Sequence, residues 1–178
     1  MMQHFLEQSS LSHFLYSSSR SALLWLVVRL YIGYEWVTAG WEKIQNPAWV
    51  GDSAGAAITG FVNNALTKTA GAHPDVQGWY AAFLQNAVLP NPALWSNLVA
   101  FGEVLVGIAI IVGIFVGIAT FFGAFMNLNF MLAGTVSINP IMFVLSVFLI
   151  LAWRVAGYWG LDRFALPLFF RNVRMRNL

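Results

Sequence analysis

The chain has 178 residues, of which 59% are hydrophobic and 9% charged, with a formal net charge of +2. A soluble domain carries about 25% charged residues, so this deficit, together with 15 Phe and 8 Trp, places the protein in a membrane. There is no cysteine, which excludes disulfide exchange, a thiolate nucleophile, cysteine-ligated iron–sulfur clusters and any dithiol–quinone enzyme.

Residues 1–21 are polar and rich in serine, with Arg20 at their end. They read as a cytoplasmic tail with an interfacial turn around Phe14 to Tyr16. A cleaved signal peptide is the rival reading, since Val37-Thr38-Ala39 resembles a cleavage site. The length of the following stretch, and Arg29 within it, argue against cleavage.

Ala22 to Lys43 is the first predicted span. Roughly 20 apolar residues cross the hydrocarbon core at about 1.5 Å each. This stretch carries Arg29 and Glu35 inside the crossing and ends at Glu42-Lys43. An ion near a helix centre costs on the order of 2.5–3.5 kcal/mol, so both need partners from other helices. Arg29, Gly33, Trp36, Gly40 and Lys43 share one helical face, and Tyr31, Glu35, Thr38 and Glu42 form a second stripe. The two glycines let another helix, or a ligand, approach beside Arg29.

Residues 44–93 form a long connection with two short helices predicted in it. Asp52-Ser53 is placed to cap one through about Leu66, and Pro74-Asp75 to open another through about Val88. The second presents Val76, Trp79, Tyr80, Phe83 and Ala87 on one face, as an interfacial helix does. Three more spans follow: Leu94 to about Ile114 with Glu103, about Val116 to Gly134 with Asn127 and Asn129, and Ile141 to Tyr158 with Arg154. The turn between the first two of these, Gly113–Gly117, is very short.

The predicted fold class is therefore an all-α membrane protein, a four-helix transmembrane bundle with a long, partly helical extracytoplasmic segment between spans one and two. Residues 1–21 are the N-terminal tail, 22–162 the membrane domain with 44–93 as its outer segment, and 163–178 a basic C-terminal tail. Arg163, Arg171, Arg174 and Arg176 crowd that tail, whereas the long connection offers only Lys43 and Lys68. The positive-inside bias puts both termini in the cytoplasm of a cell whose inner membrane holds the protein. Trp25, Trp153 and Trp159 then mark the inner interface; Trp41, Trp49, Trp79 and Trp95 mark the outer one.

Counting inward at about 1.5 Å per residue puts Glu35, Glu103, Asn127 and Asn129 in one layer, with Arg29 and Arg154 just below it. Such groups turn away from lipid toward a shared interior. Arg29 with Glu103 is the expected ion pair; Arg154 with Glu35 or an Asn is a second. Two readings stand for this layer. It registers the helices and nothing more, or it is a polar cavity that binds a head group or moves a proton.

His4, His13 and His73 all lie outside the spans, so no bis-histidine haem sits in the membrane. No GxGxxG run follows a strand pattern and no phosphate-binding loop occurs. No cofactor has a sequence signature here.

Arg29-Leu30-x-x-Gly33 with Gly40 and Lys43, Gly102-Glu103-Val104-Leu105-Val106-Gly107, and Gly157-Tyr158-Trp159-Gly160-Leu161-Asp162-Arg163 occur in that order. In these motifs the chain resembles the DoxX/DoxD family of small four-span membrane proteins over roughly residues 20–165. Trp79-Tyr80 and Phe83-Leu84 before Pro90-Asn91 resemble the DoxD-like branch. One departure is the Gly113–Gly117 turn, which carries no basic residue.

The resemblance implies a small-subunit role in a thiosulfate:quinone oxidoreductase, with thiosulfate oxidised outside and quinone reduced in the membrane as co-substrate. On that reading Lys43 attracts the thiosulfate dianion, helped by Lys68 or His73. Arg29 and Glu103 are the candidate catalytic pair, and Asn127 helps them hold a quinone head group. Trp36 or Tyr31 stacks on the ring. Glu35, Asn129 and Arg154 complete the candidate substrate-binding set. The alternatives are a non-catalytic anchor that docks a redox enzyme through the segment Arg163 to Arg176, and, less well supported, a small transporter. Expected partners are membrane lipid, a quinone, a redox protein subunit and further copies of the chain; nucleic acid is not among them.

Overall fold

The computed structural model describes the backbone of residues 9–175 and the side chains of residues 9–168. His4 and Arg176 fall outside the described residues. Arg171 and Arg174 lie where only the backbone is described.

Every regular element among the described residues is helical. In chain order these are α1 (Ser10–Ser17), α2 (Ala22–Ile44), α3 (Ala56–Leu66), α4 (Gly78–Phe83), α5 (Pro92–Val112), α6 (Val116–Leu132), α7 (Asn139–Leu151), α8 (Trp153–Ala156) and α9 (Asp162–Met175). A 3-10 turn, Ser19–Ser21, runs directly into α2. Ser19–Ile44 and Pro92–Val112 are long and apolar enough to cross a membrane; Val116–Leu132 and Asn139–Leu151 are apolar but shorter.

Two pairings dominate, α2 with α5 and α6 with α7, and α5 also packs on α6. The α2–α5 contact is backbone to backbone. A Cβ on Gly33 would lie 3.0 Å from the Gly107 carbonyl oxygen, and one on Gly107 would lie 2.8 Å from that of Gly33. No other residue fits at that distance, so the small-residue face predicted on α2 is where α5 docks. That contact also fixes how the two helices align along their lengths.

The core gathers Ile32, Trp36, Val106, Ile110, Met142 and Leu149. The outside of the same helices shows Leu23, Val27, Leu105, Ile118, Phe121 and Phe125, each more than half exposed. An apolar exterior of this extent marks surface that meets lipid or other protein and not water.

The connection after α2 is a separate small core built on Val62, Val76, Tyr80, Leu84 and Val88. Its helices end near the expected residues but start later. Ser53 donates its hydroxyl to the Pro47 carbonyl at 3.0 Å instead of capping α3, and α3 opens at Ala56. Past Pro74, the Val76 amide donates to the Lys68 carbonyl at 3.2 Å. That bond and the burial of Val76 keep the chain out of helix until Gly78. The last turn, Leu84–Val88, is a π-helix.

The fourth predicted span is broken. α7 stops at Leu151, and only the single turn of α8 follows before the chain leaves the helical path. At the other end, residues expected as an interfacial turn form α1. Trp25 anchors it, donating its indole N–H to the Leu15 carbonyl at 2.7 Å and stacking on Tyr16. Trp25 is buried, so it belongs to the packing and not to an aromatic belt. Trp41, Trp79 and Trp159 are exposed.

Candidate functional site

The expected Arg29–Glu103 pair does not form. The two side chains are buried at opposite ends of the α2–α5 contact, and each has other partners.

Arg29 donates one guanidinium nitrogen to the Ala156 carbonyl at 2.8 Å. The other donates to the carbonyls of Ile111 at 3.1 Å and Trp159 at 3.0 Å. It thereby ties the end of α5 to the chain beyond α8. The end of α5 frees the Ile111 carbonyl, and the early stop of α8 frees those of Ala156 and Trp159. Bare backbone at Gly113 and Gly160 makes the room, since a Cβ at either would run into the guanidinium.

Asp162 supplies the opposing charge. Its carboxylate also accepts the backbone amides of Phe115 at 2.6 Å and Val116 at 2.9 Å, which caps α6. The Gly113–Gly117 turn, with no basic residue of its own, therefore receives one from α2. Arg29 is a structural clasp in this arrangement. Asp162 was visible inside the closing Gly-Tyr-Trp-Gly-Leu-Asp-Arg motif, but neither spacing nor helical period indicated what it holds.

Glu103 pairs instead with Lys43, at 2.7 Å from Nζ to Oε2. Gly40 sits against Ala100 and Val104 of α5, which brings the end of α2 level with Glu103. Lys43 also lies 5.2 Å from the centre of the Trp49 ring. The pair is lopsided: Glu103 is 1% exposed and the Lys43 side chain 20%. Lysine thus reaches inward from the rim of the core to a carboxylate that has no access of its own.

In the interior of the helices several further buried polar atoms have no partner among the described residues. They are the second carboxylate oxygen of Glu103, the indole nitrogen of Trp36, both amide atoms of Asn127, and the hydroxyls of Thr120 and Ser146. Gly123 of α6 backs onto both the Trp36 nitrogen and Val106. Asn127 lies one turn beyond Gly123, and Glu103 one turn before Val106 on the facing helix. Trp36 also approaches Phe130, which meets Phe61 of the outer segment edge-on at 6.0 Å. A buried amide with four unused hydrogen-bonding positions is rare in a native interior. Glu103, Lys43, Trp36 and Asn127 form the candidate site. Thr120, seven residues before Asn127 and on the same face, was the sequence signal overlooked.

The remaining expected residues lie elsewhere. Glu35 is half-exposed and takes no side-chain partner among the described residues. Arg154 is exposed beside the ring of Trp153; it joins neither Glu35 nor an Asn. Tyr31 is exposed as well, so it does not flank Trp36. Lys68 donates to the Gly134 carbonyl at 2.8 Å, a strut from the outer segment to the end of α6, and not a neighbour of Lys43.

Asn129 is taken up by the outer segment. The Tyr80 hydroxyl lies 2.9 Å from its carbonyl and 3.1 Å from its Oδ1. Burial pushes the Tyr80 phenol up to about 12 from its ordinary 10.0. Above pH 10 the unfolded chain loses this proton while the folded one keeps it, so stability falls as pH rises from about 10 toward 12. Tyr80→Phe is expected to cost about 1 kcal/mol at neutral pH. It should also remove this part of the alkaline loss, which paired melting curves at pH 9 and pH 11 measure.

Residues 24–140 match the DoxX family. The match takes in Arg29, Trp36, Lys43, Glu103 and Asn127; Arg154 and Asp162 lie beyond it. No curated protein and no solved structure matches the chain. With an all-helical core, an apolar exterior and this match, the chain is a membrane protein and belongs to the DoxX family.

Proposed function

We propose that the protein is a multi-pass inner-membrane redox subunit that binds the head group of a quinone between α2, α5 and α6. On this reading α2, α5, α6 and the α7–α8 pair cross the bilayer as a four-helix bundle, with residues 44–93 outside and both termini in the cytoplasm. The observation that carries it is the set of buried, unpartnered polar atoms on Glu103, Trp36 and Asn127 beside an ion pair that opens outward through Lys43. Trp36 and Asn127 offer N–H donors to quinone carbonyl oxygens. Phe130 and Phe61 offer an apolar wall to the ring. Glu103 can carry a proton, and Lys43 is its link to the aqueous side.

The reaction that fits is thiosulfate oxidation. Two thiosulfates joined by a new S–S bond release two electrons. Those electrons, with two protons, convert quinone to quinol. Lys43, at the outer rim of the core, is placed to attract the dianion.

The test is quinone reduction by protein in liposomes given thiosulfate and a short-chain ubiquinone. Glu103→Gln protein that elutes as a folded species should lose about a hundredfold or more in rate, the scale typical of general acid–base catalysis. Quinone binding without turnover in the wild-type protein would identify a docking subunit instead of an enzyme. Neither binding nor turnover would end the quinone reading.

A further inference from the structure

A polar cavity of about 330 Å³ lies between α1 and α8 and is independent of the quinone reading. Tyr16, Ser17, Ser19, Arg154, Val155 and Tyr158 line it. Four of these bring hydroxyls and one a guanidinium. Among the described residues, none of the five groups has a hydrogen-bond partner and no carboxylate lines the cavity. The walls are held in place from behind. Trp25 fixes α1 through the Leu15 carbonyl, and the Ser21 hydroxyl donates to the same oxygen at 3.0 Å. The rim is basic: Arg20 is exposed next to Ser19, and the Arg163 guanidinium lies 5.3 Å from the Tyr158 ring centre.

Four hydroxyls free to donate, an exposed guanidinium and a basic rim suit one chemistry, a phosphate group with several acceptor oxygens and net negative charge. We propose that this cavity binds the phosphate of an anionic phospholipid head group. The lipid source follows from the surroundings. Leu11 and Phe14 on the outward side of α1 are exposed, as is Trp159 just past α8. Apolar and aromatic residues around a basic polar pocket place the cavity at the head-group level, where α1 lies along the interface. Bound lipid then joins the N-terminal helix to the end of the α7–α8 pair.

The experiment is lipid retention by the full-length protein in detergent, read by native mass spectrometry. The protein is incubated with equimolar dioleoyl phosphatidylglycerol and dioleoyl phosphatidylcholine. The wild-type protein should retain the anionic lipid about fivefold over the zwitterionic one. Arg154→Gln should bring the ratio near unity, and Arg154→Lys should restore part of it. Arg154 is exposed, so an unchanged melting temperature is expected and confirms that the fold survives. Ser17→Ala with Ser19→Ala should lower total retention without reversing the preference. A second arm adds inorganic phosphate. Loss of retained phosphatidylglycerol only at phosphate concentrations that also strip lipid from Arg154→Gln supports the lipid assignment. Binding of inorganic phosphate with no lipid preference overturns that assignment in favour of a soluble anion. Equal retention by the wild type and Arg154→Gln overturns the proposal altogether.

Discussion

Arg29→Ala is expected to cost about 3–5 kcal/mol and to remove most folded protein from the membrane. Arg29 is 1% exposed and serves three carbonyls from two separate segments, Ile111 on one side and Ala156 and Trp159 on the other. Truncation leaves those acceptors without donors and Asp162 without its opposing charge. Each buried group left unsatisfied costs about 1–3 kcal/mol. Arg29→Lys keeps the charge but cannot fork across the three oxygens, so it should fall between the two. Thermal melts of detergent-purified protein, followed by size-exclusion fluorescence, measure the series. An Arg29→Ala protein within about 1 kcal/mol of the wild type would show that the clasp carries no stability.

Lys43 and Glu103 give the second large effect, and its asymmetry is the informative part. Lys43→Ala strands a carboxylate that is 1% exposed, and should cost about 3–5 kcal/mol. Glu103→Gln strands a lysine that is already 20% exposed and can turn toward water, so about 1–2 kcal/mol is expected. Lys43→Met combined with Glu103→Gln should recover most of the larger loss, since a neutral pair of similar volume needs no compensation. A double-mutant cycle by chemical or thermal unfolding gives the coupling directly. Additive single losses would mean that the 2.7 Å contact does not govern stability.

Fold and site were legible to different depths. Arg29, Trp36, Lys43, Glu103 and Asn127 were all recognisable, because a polar group in an apolar span has to be accounted for. Their pairing was not. Residue counts from an assumed surface put Glu103 level with the wrong partner, since they ignore how two helices slide along each other. The information was partly present: Gly33 and Gly40 on α2, and Gly107 on α5, mark the only places where the two backbones can touch. Matching Gly33 to Gly107 sets Arg29 beside Ile111 and Lys43 within a side chain's reach of Glu103. Arg154 was misplaced for a related reason. Depth was counted but direction was not: at about 100° per residue Arg154 falls roughly 80–140° away from Met142, Ser146 and Leu149, the buried face of α7.

Composition and helical period already required an all-helical chain immersed in lipid, with a bare glycine face on its first long helix. Those properties follow from each segment's own transfer free energy and geometry, so no neighbour is needed to read them. Which cation meets which carboxylate depended on assembly. Contact register, the carbonyls released beyond α8 and the reach of a lysine stem are properties of several helices at once. Only their packing left Arg29 as a clasp and Glu103 paired to Lys43 with one oxygen unpartnered.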